Sequence, residues 1–113
     1  MIIKRGDIFV ASLDPVIGKE ISKTRPVIVV SNDVNNRFSD TVSVLPLTSK
    51  HVDRVYPFEV FLPKKSANLP KDSKVKANQI RTIDKSRLVS FMGRIDRKDM
   101  SDIDLAMKVH LGL

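Results

Sequence analysis

Lys23-Thr24-Arg25-Pro26-Val27-Ile28-Val29-Val30, then ten polar and turn-forming residues from Ser31 to Asp40, then Thr41-Val42-Ser43-Val44-Leu45-Pro46-Leu47-Thr48: this is the stretch whose reading decides the fold. Two strand-like runs of β-branched and apolar residues flank a short polar connection, so they read as an antiparallel hairpin. With the hairpin centred near Asn36, opposed residues have numbers summing to about 72 or 73, which sets Arg25 across from Leu47 or Thr48. Directly opposed side chains have Cβ atoms roughly 4.5 to 5.5 Å apart. A cation and a hydroxyl therefore meet at the open end of the pair, which is a small site for an anion. Pro26 supports this placement, because proline donates to no ladder and belongs at the start or edge of a strand. It also pushes Arg25 out of the helical region.

Working outward, Asp7–Leu13 reads as a strand ended by Asp14 and Pro15, with apolar residues on both faces, as in a closed or dimer-covered sheet. The eleven residues from Asp14 to Thr24 form a surface loop, longer than most connections and of a length that is often functional. Ser31–Asp40 has room for a short helical turn with Ser31 or Asn32 as its cap. A polar, basic loop from Ser49 to Pro57 precedes a strand at Phe58–Leu62, and a second basic loop runs from Lys64 to Lys71. Lys74–Thr82 reads as one strand in which Gln79 and Arg81 inherit the buried parity of Val75 and Ala77, so either a bulge re-aims them or they line a polar cleft. In Leu88–Ile95, Val89, Phe91 and Ile95 point one way and Ser90 and Arg94 the other. Asp96 then caps a helix, with Asp99 in its first turn and Met100, Ile103, Met107 and Leu111 at helical spacing, widened by Ala106 and Val109. Six short strands and one long helix predict a mainly β fold: a small antiparallel barrel or strongly curved sheet with the helix packed on it.

The 113 residues suffice for one domain, spanning 1–113, and are too few for two. No apolar run approaches membrane-spanning length, and Arg5, Gly6 and Asp7 interrupt any leader-like stretch, so a soluble cytoplasmic protein is expected. The absence of cysteine fits a reducing compartment and excludes thiol chemistry. Twenty Lys and Arg against thirteen Asp and Glu give a net charge of +7. Such an excess either keeps a small protein in solution or meets a polyanionic partner, nucleic acid or an acidic protein.

Neither histidine, His51 or His110, belongs to an HxxxH or paired-carboxylate pattern, so no metal site is expected. A glycine-rich phosphate loop and a nucleophile elbow are also missing from the sequence. What remains is the Arg25 and Thr48 pair, whose bland reading is a solvated strand-mouth arginine, paired at most with Glu20, and a plain strand residue. His51, three residues past Thr48, is either an acid or base for the site or a solvated loop residue. Phe38 and Tyr56 sit in polar loops, where an aromatic ring stacks an unpaired base or anchors the loop.

The order Arg5-Gly6-Asp7, Lys23-Thr24-Arg25-Pro26-Val27 with Ser31-Asn32-Asp33, Pro46-Leu47-Thr48 and Gln79-Ile80-Arg81-Thr82-Ile83-Asp84-Lys85 resembles the MazF/PemK family of toxin endoribonucleases. The likeness spans essentially the whole chain. It implies an SH3-like antiparallel β-barrel with a C-terminal helix and a homodimeric assembly. It also implies sequence-specific, metal-independent cleavage of single-stranded RNA, and inhibition by a cognate MazE-like antitoxin, whose binding segment the +7 charge predicts to be acidic. By the same resemblance Arg25 and Thr48 are the catalytic residues, no cofactor is needed, and Glu20, Lys23, Ser31, Asn32, Lys50, Gln79 and Arg81 border the substrate. Where many relatives have glycine in the second basic loop, this chain has Asn68-Leu69-Pro70, which changes the loop's shape. The rival from another class is a CcdB-like toxin that binds DNA gyrase without cutting anything, and it would need neither Arg25 nor Thr48. The residue types suit the first reading. RNA carries its own nucleophile in the 2′-hydroxyl, so attack on the adjacent phosphate needs alignment and a sink for negative charge. Arginine is a poor general base, which leaves Glu20 and His51 as candidates for the proton.

Overall fold

Strands β2 (Thr24–Val29) and β3 (Thr41–Thr48) pair antiparallel in the computed structural model, which describes residues 1–113. Val27 lies opposite Pro46, Ile28 opposite Leu45 and Val29 opposite Val44. These numbers sum to 73, as the hairpin reading requires. The connection is a single short helix, α1 (Asp33–Phe38), capped by the Asn32 side chain, which accepts from the Asn35 N–H at 2.8 Å.

On the other side of β2 lies β1 (Asp7–Ser12), followed by β7 (Leu88–Arg94) at one edge of the sheet. Beyond β3 come β5 (Ser73–Lys76) and, at the other edge, β4 (Glu59–Leu62). A seventh strand, β6 (Arg81–Asp84), pairs with the first half of β3. The segment read as one strand from Lys74 to Thr82 is therefore two, split by a 3-10 turn at Ala77–Gln79. That break resolves the parity conflict, because Gln79 and Arg81 leave the face of Val75 and line a polar groove instead.

The sheet curls without closing, since β4 and β7 remain separate edges. Their seam is bridged by the turn Ser66–Asn68 after β4, whose Asn68 Nδ2 donates to the Met92 carbonyl at 2.7 Å. At the seam a Cβ on Gly93 would stand 2.8 Å from the Ala67 carbonyl oxygen, so glycine is required for the close approach.

Alternate residues of the central strands feed two cores on opposite faces. Ile8, Ile28, Leu45, Leu47 and Val75 join one core, while Phe9, Val27, Val29, Val42 and Val44 join the other. Helix α2 (Arg97–Leu111) covers the first core through Met100, Ile103, Ala106 and Met107. Asp96 caps it, and left-handed Gly112 ends it. Its apolar stripe is shorter than the spacing predicts: Val109 and Leu111 are about half exposed and stay outside the core. On β7, Val89 and Phe91 also face solvent, beside a β1–β7 ladder whose register shifts twice. No helix is long and apolar enough to cross a membrane.

Candidate active site

The β2–β3 ladder stops at the Val27–Pro46 rung, and each strand then follows a different neighbour. Pro26, Arg25 and Thr24 stay with β1, opposite Val10, Ala11 and Ser12, while Leu47 and Thr48 stay with β5, opposite Val75 and Lys74. Pro26 lacks the N–H that would carry the ladder to the next rung, opposite Leu47, and the nitrogen of Pro46 faces away from β2. Between the diverging ends is a cavity of about 290 Å³, lined among others by Lys23, Arg25, Thr48, Ser49 and Lys71. Three cations and no carboxylate or imidazole surround it.

Arg25 is held from behind, its Nε donating to the Ser22 carbonyl at 2.7 Å, while its two terminal nitrogens have no protein acceptor. The Thr48 hydroxyl oxygen accepts from the Lys50 backbone N–H at 3.1 Å, which leaves its own proton to donate elsewhere. A two-pronged donor and a hydroxyl donor thus share one anion-sized space. Lys23 adopts φ 69° at the rim, with its N–H on the Asp14 carboxylate at 3.0 Å. Lys50 is exposed and contributes its main chain rather than its ammonium.

Glu20, Gln79 and Arg81 line a neighbouring groove of about 390 Å³ together with Pro46. Their polar atoms hold the loop between β1 and β2. Glu20 accepts from the Ile17 N–H at 2.8 Å, Gln79 accepts from the Ile21 N–H at 2.9 Å and donates to the Lys19 carbonyl at 3.3 Å, and Arg81 donates to the Leu13 carbonyl at 3.1 Å. Arg87, which the sequence reading missed, adds bonds to the Ser12 and Asp14 carbonyls at 3.2 and 2.6 Å. Lys71 was missed as well, since its basic loop carries no pattern that singles it out; buried Leu69 docks that loop beside the cavity. Lys65, Ala67 and Asn68 all have positive φ there, where glycine would be unstrained.

Ser31 and Asn32 are not brought to the cavity. They sit at the other end of β2, roughly 20 Å along the strand from Arg25, with Ser31 bonded to Asn36 and Asn32 capping α1. Small polar residues between a strand and a helix serve as caps, and that local role explains both. His51 also faces elsewhere, lining a third cavity of about 250 Å³ with Arg54, Tyr56, Glu59, Lys74 and Lys76. Tyr56 stacks on Phe58 at 5.5 Å, with the Lys74 ammonium 6.0 Å from its ring centre, so it anchors its loop. Phe38 anchors nothing: it is 75% exposed, under the Arg37 guanidinium. Burial pushes the Glu59 carboxyl upward, but hydrogen bonds from Lys76, the Tyr56 N–H and Lys74 outweigh it and hold the group below its ordinary range.

A seven-stranded antiparallel sheet with a C-terminal helix, and a cation-lined mouth between β2 and β3, place this chain among the PemK-like, MazF-like toxins of type II toxin–antitoxin systems. It belongs to that family, whose model matches residues 4–111. Among its relatives is the Endoribonuclease EndoA of Bacillus subtilis (strain 168), 40% identical over 113 residues that cover 100% of this chain and 97% of that protein. Among solved structures, a mycobacterial endoribonuclease in complex with its cognate antitoxin superposes with a TM-score of 0.81 at 25% identity, covering 98% of this chain and 96% of that one. MazF from Deinococcus radiodurans has the same fold, with a TM-score of 0.85 at 24% identity over 100% and 99% of the two chains.

Proposed function

We propose that this chain is the toxin of a type II toxin–antitoxin pair, a sequence-specific endoribonuclease that cuts single-stranded RNA without a metal ion. The observation that carries the reading is the meeting of Arg25 and Thr48, each with uncommitted donors, on one cation-lined cavity. Family membership and 40% identity to an endoribonuclease support it.

The chemistry follows from those donors. The 2′-oxygen attacks the adjacent phosphorus in line, a P–O bond forms, and the bond to the 5′-oxygen breaks. The products are a 2′,3′-cyclic phosphate and a 5′-hydroxyl end. Arg25 binds the phosphorane oxygens with its two free nitrogens, and Thr48 donates a third hydrogen bond where charge develops. Lys23 and Lys71 hold flanking phosphates without reading sequence. The groove of Glu20, Gln79 and Arg81, adjoining at Pro46, receives neighbouring bases, and the Lys50 ammonium extends the electrostatic rim. Ser31 and Asn32 take no part. With Glu20 lining the neighbouring groove and His51 facing another cavity, no side chain of the mouth accepts the 2′-hydroxyl proton, which passes to solvent or to a phosphate oxygen.

The single domain works as a cytoplasmic homodimer in this reading, with a second copy covering the exposed Val89 and Phe91 of β7. The antitoxin offers an acidic segment that competes with RNA for the cation-lined mouth. Incubation of purified protein with RNA in EDTA tests the activity. Cutting by wild type, lost in Arg25→Ala and Thr48→Ala and abolished by a 2′-deoxy substitution at the cleaved position, is the expected result. Intact RNA after incubation with folded wild type would reject the reading in favour of a non-cleaving binder.

A further inference from the structure

The cavity beside the mouth is not used by the cleavage chemistry, and its residues are arranged as an anion site. Antiparallel registers put Thr48 opposite Lys74, Lys74 opposite Phe61, and Lys76 opposite Glu59. Cross-strand partners share a face, so Thr48, Lys74, Lys76 and Glu59 all project from the side of the sheet away from Leu47 and Val75. The loop Ser49–Phe58 folds over this face and encloses about 250 Å³. Glu59 is fully buried at its floor, and both of its oxygens are occupied: Oε1 by Lys74 Nζ at 3.0 Å and by the Tyr56 N–H at 3.0 Å, Oε2 by Lys76 Nζ at 2.8 Å. Its charge is therefore spent on the floor.

Arg54, Lys74 and Lys76 share this one carboxylate, so positive charge is in excess at the opening. The Lys76 ammonium makes only the Glu59 bond and keeps two N–H donors, and the Arg54 guanidinium makes only a 3.3 Å bond to the Tyr56 hydroxyl. His51 faces the same space from a left-handed backbone position (φ 55°), pinned by the Arg54 N–H on its carbonyl at 3.2 Å. Three cations against one carboxylate around an open cavity cost free energy unless a further anion fills it. Lys76 lies two residues along β5 from Lys74, the residue opposite Thr48, so its Cα is roughly 8 Å from that of Thr48, and a chain running from Thr48 toward β4 passes over this opening.

We infer that the cavity of Arg54, Lys76 and His51 is a second phosphate subsite, which holds a phosphodiester adjacent to the one that is cut. The inference rests on the endoribonuclease reading and adds to it the track of the RNA past Thr48. The test is equilibrium binding, by fluorescence anisotropy, of a labelled RNA that carries the mapped cleavage sequence with a 2′-deoxy residue at the cut. Full-length wild type, Lys76→Gln and Arg54→Gln are titrated at salt concentrations from about 50 to 200 mM, with Lys98→Gln on the outer side of α2 as control. Each lost phosphate contact lowers the magnitude of the log–log salt slope by about 0.7 for a single strand, so wild type weakens about 2.6-fold more than either variant across that range. The control keeps the wild-type slope. Arg54→Gln sits in the exposed loop and removes no floor contact, so it tests the subsite even if Lys76→Gln melts. Wild-type slopes in folded Arg54→Gln and Lys76→Gln, alongside cleavage and binding by wild type, overturn the subsite alone. Wild type that neither cuts nor binds RNA overturns the reading beneath it and the subsite with it.

Discussion

Glu59→Gln tests the floor on which Thr48 and its neighbouring strand stand. The Glu59 side chain has no exposure and that of Lys74 only 5%, so the pair is desolvated. Replacing the carboxylate by an amide keeps the shape and leaves the Lys74 ammonium buried without a counter-charge, which costs about 3–5 kcal/mol. A chain of 113 residues has on the order of 6–17 kcal/mol of total stability. Its unfolding entropy is about 240 cal/mol/K, so the loss lowers the melting temperature by about 13–21 °C. The pH dependence has a definite sign. The folded Glu59 carboxyl lies below its ordinary value of 4.5 because the Lys76, Tyr56 and Lys74 bonds outweigh burial. Its stabilisation is therefore complete above that value and is lost as pH falls through the lower, folded one. The variant has no such titration, so the gap between the two melting curves is widest near neutrality and narrows below about pH 4.5. Differential scanning calorimetry of both proteins across a pH series measures this directly. A gap under about 2 °C at neutral pH, or one that stays constant into acid, refutes the reasoning.

Gly93→Ala forces the β4–β7 seam apart, since its Cβ would meet the Ala67 carbonyl at 2.8 Å, and costs about 1–3 kcal/mol; an unchanged urea midpoint would refute the contact. Arg25→Lys keeps a cation but loses the two-pronged donor, so cleavage falls about 10²-fold while affinity for uncleavable RNA changes little; equal losses in both measurements would assign Arg25 to binding alone. Gln79→Ala removes both bonds to the loop between β1 and β2, so trypsin cuts at Lys19 several-fold faster with little change in melting temperature; unaltered proteolysis would mean the loop is held by Arg81 and Arg87 alone. With no side-chain base in the mouth, the cleavage rate shows no sigmoidal step with pH through neutrality; such a step, if it vanished in His51→Ala, would implicate that side chain.

Where local backbone rules decide the outcome, the sequence could be read directly. Pro26 marks the mouth of β2, the turn residues fix the hairpin centre, and Asn32 and Asp96 cap the two helices. The division of Lys74–Thr82 had no such marker. Ala77, Asn78 and Gln79 contain neither glycine nor proline, and the break exists because the outer edge of β3 needs one partner for Thr41–Val44 and another for Leu47–Thr48. The open seam was equally hidden, because β4 and β7 are kept apart by a turn remote from both pairings. The juxtaposition of Arg25 and Thr48 follows from register arithmetic and their assignment to a site from family resemblance, whereas Lys71 and Arg87 are placed by tertiary contacts that no spacing encodes.

The same two prolines that frame the hairpin also account for the site. A hairpin with full ladders to its ends would zip Arg25 against Thr48 and leave no room for a phosphate. Here Pro26 withholds the N–H donor of the next rung toward β3, and Pro46, whose nitrogen faces away from β2, stands where the strand beside it is interrupted by the turn at Ala77–Gln79. The two strands are free to part, and each is captured by a different neighbour, β1 for Arg25 and β5 for Thr48. Capture matters as much as parting, because a splayed end without partners would be mobile and could not aim its donors. The cavity is therefore a rigid gap between two supported strands, and the registers with β1 and β5, more than that of β2 with β3, set the distance between guanidinium and hydroxyl.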